Sequence, residues 1–239
     1  AVRLVERALA GAPESIEAWI MKADLAWATD AKSAAEAYQK VMALNPAHLP
    51  SRLGMVLLQL AAGNADEARK HLAEARKIAP DSMMVVYTMA LVDYRTGNYA
   101  AAREEVQRVV KVAPNHFPSL LLAGMVEYAL GSYGQAQLLL ARVVEKDPAH
   151  LYARKLLVSA LAKSGQAQRA FEVLEPGLKQ APGDASLLVL AGDVALQDNN
   201  LARSAQFYEQ AAKLDPGRPG ARTGLALSRL AAGQMDLAL

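Results

Sequence analysis

The chain is predicted to be all-α, a stack of antiparallel helix pairs. Two observations carry that prediction. Seven prolines, Pro13, Pro46, Pro80, Pro114, Pro148, Pro182 and Pro216, follow one another at 33 residues once and then at 34 five times. Gly63, Gly97, Gly131, Gly165 and Gly233, with Asn199 in place of a sixth glycine, stand seventeen residues before the proline position of their units. Gly and Asn end helices in left-handed geometry, and proline ends the helix that follows. Each unit therefore reads helix, tight turn, helix, proline turn.

The second helix of each unit is written by three rows. Twelve residues before the proline position stand small residues, Ala1, Ala34, Ala68, Ala102, Ala136, Ala170, Ser204 and again Ala238. Small side chains let helix backbones approach closely. Eight before it come Val5, Tyr38, Leu72, Val106, Leu140, Leu174 and Tyr208, and five before it Ala8, Val41, Ala75, Val109, Val143, Gly177 and Ala211. The spacing is that of one buried helical face. Fourteen helices follow, with residues 1–13 as the second helix of a truncated unit. Residues 14–239 form about six full units and a truncated seventh in one continuous solenoid. Because Ala1 and Ala238 occupy the same place in the unit and neither end has a polar capping helix, the chain is expected to be a piece of a longer array.

Composition agrees and narrows the function. Hydrophobic residues make up 53% of the 239 residues, enough for a core, and they are mostly the good helix formers Ala and Leu. The 26 Lys and Arg against 24 Asp and Glu leave a net charge of +2, spread evenly over both halves, which argues against a nucleic-acid partner. Cysteine is absent, which excludes disulfides, thiolate metal sites and a cysteine nucleophile. No stretch reaches 18 uncharged apolar residues, so no transmembrane segment is expected, and Ala1 to Arg7 do not read as a signal peptide.

Chemistry-bearing motifs are lacking. His48, His116 and His150 each stand two residues after a repeat proline, but stacking places adjacent units about 10 Å apart, too far for shared metal ligation. They read as capping or solvated turn residues, and no metal or cofactor is expected. Asp66–Glu67 and Glu104–Glu105 read as helix-start acids that complement the positive helix end. Pro176–Gly177 falls inside a second helix and reads either as a hinge or as a kink absorbed by packing. No catalytic residue is assigned.

The period, the small-residue rows and the turn Gly and Pro resemble the tetratricopeptide repeat over the whole chain. The best matches run from Ala68 to Pro80 and from Gly131 to Pro148. Where that family often carries Trp early in the first helix, only Trp19 conforms. The other units have Arg52, Val86, Leu120, Arg154, Leu188 and Arg222. The resemblance implies a right-handed superhelical solenoid whose first helices line a concave surface. Residues expected there are Ile20, Met21, Asp24 and Trp27; Leu53, Leu57 and Leu60; Met84, Tyr87, Leu91, Tyr94 and Arg95; Leu121, Leu122, Met125 and Tyr128; and Tyr152, Lys155, Leu156, Ser159 and Lys163. So many Leu, Met and Tyr side chains make an apolar groove for a protein or peptide segment, unless the helices bury them against one another. The carboxylate clamp of some family members needs Lys where this chain has Ile20, Leu53, Tyr87 and Leu121, and only Lys155 retains it.

Three phrases, Ala153 to Leu157, Val173 to Pro176 and Gly224 to Gly233, are similar to the tetratricopeptide lipoproteins of bacterial PEP-CTERM/exosortase loci. That similarity implies an envelope scaffold in exopolysaccharide assembly or protein sorting, lipid-anchored on the periplasmic side through a cysteine upstream of Ala1. Two alternatives stay open. One is a polysaccharide-contacting module in which Trp27, Tyr87, Tyr94, Tyr128 and Tyr152 stack on sugars; the other is a cytoplasmic co-chaperone or assembly adaptor.

Overall fold

A computed structural model describes residues 1–218 and 220–234. Ala238, expected to repeat the small-residue row, lies outside the described residues. Fourteen helices and no strand occur among the described residues. The chain divides into two compact units, Ala1–Ala113 and Pro114–Leu239.

The first unit holds α1 (Val2–Gly11), α2 (Ile16–Ala26), α3 (Ala31–Leu44), α4 (Leu49–Ala61), α5 (Ala65–Ile78), α6 (Met83–Arg95) and α7 (Tyr99–Val112). The second holds α8 (Phe117–Ala129), α9 (Tyr133–Lys146), α10 (Leu151–Lys163), α11 (Ala167–Gln180), α12 (Ala185–Gln197), α13 (Leu201–Leu214) and α14 (Ala221–Ala231). Within each unit, even-numbered helices are first helices of a hairpin and odd-numbered ones are second helices.

The turns obey the chemistry that announced them. Gly63, Gly97, Gly131, Gly165 and Gly233 all have positive φ, and Asn199, the stand-in, has φ 58°. Helix starts are closed by side chains. Ser15, Asp30, Asp184 and Asn200 accept N–H groups of the first turn, each such cap stabilising by about 1 kcal/mol. His48 and His150 do the same through Nδ1, from Ser51 N–H at 3.3 Å and Ala153 N–H at 3.1 Å, which is the capping role expected of the turn histidines. Glu104 and Glu105 correct the sequence reading. They sit in the middle of α7, which has no acidic residue in its first turn, whereas Asp66 and Glu67 do open α5.

The small-residue row is buried from Ala34 to Ser204, Ala34, Ala68, Ala102, Ala136, Ala170 and Ser204 lying in the interior, whereas Ala1 is exposed. The one hydroxyl in that row is satisfied, Ser204 donating to the Gly192 carbonyl at 2.9 Å and lying 2.8 Å from Ser228 Oγ. Large side chains eight residues before the proline fill the space between consecutive first helices, and the neighbours adjust to their size. Tyr38 leaves no room for a β-carbon at Gly54, which would sit 2.6 Å from its ring. Tyr208 is clasped by Gly192 and Gly224, where a β-carbon would lie 2.7 and 2.3 Å from its ring. Opposite Leu72, Leu140 and Leu174, the position eight after the next proline carries Thr88, Leu156 and Leu190 instead.

The irregular row six residues after the proline also has a physical explanation. Trp19 donates through Nε1 to the Pro13 carbonyl at 2.8 Å, Arg52 through Nη2 to Pro46 at 3.0 Å, and Arg154 through Nη2 to Pro148 at 2.7 Å. Indole and guanidinium thus tie the first helix to the same turn carbonyl. Where Leu120 cannot donate, Arg142 of α9 reaches the Pro114 carbonyl at 2.7 Å.

Arg154 also anchors the segment around Pro176. It is 5% exposed, and its Nη1 donates to the Val173 carbonyl at 2.7 Å. Its Cδ fills the space left open by Gly177, and burial pulls its guanidinium below its ordinary pKa. Helix α11 continues through Pro176 to Gln180, with the Arg154 side chain packed beside Gly177.

Candidate functional site

The residues expected to line an inner surface fall into three groups. Leu53 and Leu122 are 4% and 2% exposed and belong to the core. Helices α4 and α8 turn these positions into the packing between elements, so neither is available to a partner. Met21, Met84 and Tyr152 are exposed. Ile20, Trp27, Leu57, Leu60, Tyr87, Leu91, Tyr94, Leu121, Met125, Tyr128 and Leu156 are half-buried, with one flank packed and one accessible.

In the first unit α4 and α6 pack directly on each other. They present Leu57 and Leu91 at one repeat position, with Met84 and Tyr87 on the same α6 face. Desolvation raises the Tyr87 hydroxyl pKa, in keeping with its half-buried ring. On α2 the position equivalent to Leu57 is Asp24, which accepts a hydrogen bond from the Tyr38 hydroxyl at 3.2 Å. Burial first, and the Asp24 charge second, push that hydroxyl up to about 12.

Three aromatics expected in the groove instead pack sideways across their own hairpins. Trp27 meets Tyr38 edge-on at 6.4 Å between ring centroids, Tyr94 meets Tyr99 at 5.6 Å, and Tyr128 meets Tyr133 at 5.4 Å. These contacts fasten the two helices of a hairpin together near its turn.

In the second unit the inner positions change character along the chain. Helix α8 offers Leu121 and Met125, whereas α10 offers Tyr152, Lys155 and Ser159. Lys155 Nζ lies 2.6 Å from Asp184 Oδ2 and also contacts Ser186 Oγ. Burial alone would raise the Asp184 carboxyl, but hydrogen bonds from Lys155, Ser186 and the Leu187 N–H hold it at about 2. The Lys155 charge is therefore spent inside the protein. Sequence reasoning missed Asp184 and Ser186, although a signal existed: Asp184 stands where the two preceding turns carry His116 and His150, one repeat after the lysine.

Among the described residues no group of three or more His, Cys, Asp or Glu is gathered as a metal site. No described helix is long and apolar enough to cross a membrane.

Comparison with known families decides the lineage. The profile described as "Tetratricopeptide repeat" matches residues 28–85, 60–123 and 127–191, and a second profile of the same description matches 189–239. The chain belongs to the tetratricopeptide repeat family.

Solved tetratricopeptide structures share its fold. The anaphase-promoting complex subassembly Cut9–Hcn1 superposes with a TM-score of 0.82 at 15% identity, covering 95% of this chain and 45% of that one. This chain therefore spans less than half of that relative's length. PilF of Pseudomonas aeruginosa gives 0.75 at 14% identity, with 89% and 97% covered. YrrB, described as a tetratricopeptide protein with an unusual peptide-binding site, gives 0.65 at 19% identity, with 78% and 96% covered. No curated protein matches the chain. At these identities the likeness speaks for the fold alone, and tetratricopeptide arrays are generally non-catalytic scaffolds that hold proteins together.

Proposed function

We propose that the chain is a non-catalytic scaffold that grips a protein or peptide segment on the inner faces of its first helices. The observation that carries this reading is the Leu57, Met84, Tyr87 and Leu91 face of α4 and α6. There, adaptable apolar side chains are only half-covered, where a solvated helix would carry polar ones. An amphipathic or extended apolar segment matches such a face. A sugar-stacking surface is less well supported, because Trp27, Tyr94 and Tyr128 are held against rings of the second helices. The engaged Lys155 likewise argues against capture of a free C-terminal carboxylate.

The setting we propose is the bacterial envelope, with the chain as a tetratricopeptide segment of a lipoprotein of exopolysaccharide assembly and PEP-CTERM sorting. Support comes from the phrases Ala153 to Leu157, Val173 to Pro176 and Gly224 to Gly233. Affinity capture from an envelope extract tests the reading. A Leu57→Glu/Leu91→Glu variant that keeps its helical circular dichroism should lose the captured partner by about tenfold or more. Undiminished recovery would remove the inner face from consideration.

A further inference from the structure

A second surface lies on α5, a second helix that contributes nothing to the inner face. A cavity of about 460 Å³ opens there, lined by Arg69, Leu72, Ala73, Arg76, Lys77 and Pro80, with Met89 of α6 at its base. Its floor is apolar, and its only charged lining groups are three cations. The depression is shallow and open to solvent, which suits side chains presented by the surface of another protein.

The repeat does not require those cations. At the three positions held by Arg69, Arg76 and Lys77, α3 carries Ala35, Met42 and Ala43, and α7 carries Arg103, Val110 and Lys111. The equivalents in α9 are Gln137, Val144 and Glu145; in α11, Phe171, Leu178 and Lys179. Only α5 is cationic at all three, and the other second helices form with other residues there.

The cations are also easily recruited. Arg69 pairs with Asp66 at 3.3 Å and Lys77 with Glu74 at 2.7 Å, both on the exposed surface of the same helix. Exposed pairs at this spacing contribute little to stability, so either cation can turn to a new carboxylate at little cost. Arg76 adds an exposed guanidinium beside them.

We propose that this cavity docks an acidic amphipathic helix of a partner protein, its apolar side chains on Ala73, Pro80 and the accessible part of Met89 and its carboxylates on Arg69, Arg76 and Lys77. The site is separate from the inner face, so the scaffold can hold two proteins at once.

The test uses the full chain and a fluorescein-labelled helical peptide with a leucine stripe flanked by glutamates. Anisotropy should show saturable binding that weakens as salt is raised. Arg76→Glu and, separately, Ala73→Glu should each reduce affinity about tenfold, whereas Leu91→Glu on the inner face should leave it unchanged. Both substituted positions on α5 are solvent-exposed, and circular dichroism checks that the variants fold. The proposal is overturned by absence of binding, by equal affinity for a lysine-flanked peptide, or by Arg76→Glu having no effect. Equal binding of phosphatidylserine vesicles, lost in the same variants, would overturn it in favour of a membrane surface.

Discussion

A single carboxylate shows how this chain uses polar residues. Asp184 caps α12 through the N–H groups of Ser186 and Leu187, both at 3.0 Å, and ties α10 to α12 through Lys155. Its pKa falls from 3.8 to about 2 on folding. The folded state therefore holds this proton less tightly than the unfolded chain does. The associated stability, about 2 kcal/mol, is fully present above pH 4 and is lost as pH falls from about 4 to about 2. Urea unfolding of Lys155→Met should show a shallower loss of stability across that window than the parent chain. Identical acid slopes would mean that the lysine contributes nothing to the cap. Tyr38 works in the opposite window: its raised pKa favours the folded state up to pH 10, and that contribution disappears between pH 10 and about 12.

Among elements, the repeat is a set of matched pairs rather than a fixed template. A tyrosine on a second helix demands glycine on the next first helix, as Tyr38 does of Gly54 and Tyr208 of Gly224. A leucine there admits leucine, as Leu140 does at Leu156. Gly54→Leu should accordingly cost about 3 kcal/mol by overpacking against the Tyr38 ring. Adding Tyr38→Leu should return much of that loss, and a double-mutant cycle by chemical denaturation measures the coupling. Additive losses would contradict the matching rule. Arg154 and Gly177 form a similar pair in the second unit, with the guanidinium stem filling the space a β-carbon would take.

For the molecule as a whole, stacked hairpins mean that each helix contacts only near neighbours, so damage should stay local. Leu140 is fully buried among Leu157, Leu161 and Leu174 in the second unit. Leu140→Ala should cost about 2–5 kcal/mol. Hydrogen exchange should report the loss mainly in α8 to α11, leaving α2 to α5 protected as before. Uniform loss of protection over all helices would show one cooperative unit instead.

The element order and the left-handed turns were legible in residues 1–234, because a 34-residue period of Gly, Pro and small side chains states local backbone geometry directly. Local chemistry also made His48 and His150 readable as caps. Exposure on the first helices was not legible. Leu53 and Leu57 stand one helical turn apart with the same side chain, yet one is core and the other half-open. The choice depends on how neighbouring helices rotate about their axes, and that rotation is set by interlocking side chains from helices distant in sequence. The polar node of Lys155, Asp184 and Ser186 and the cationic cavity on α5 have the same origin. Periodicity alone determined which residues form each hairpin; only packing decided which faces remain for a partner.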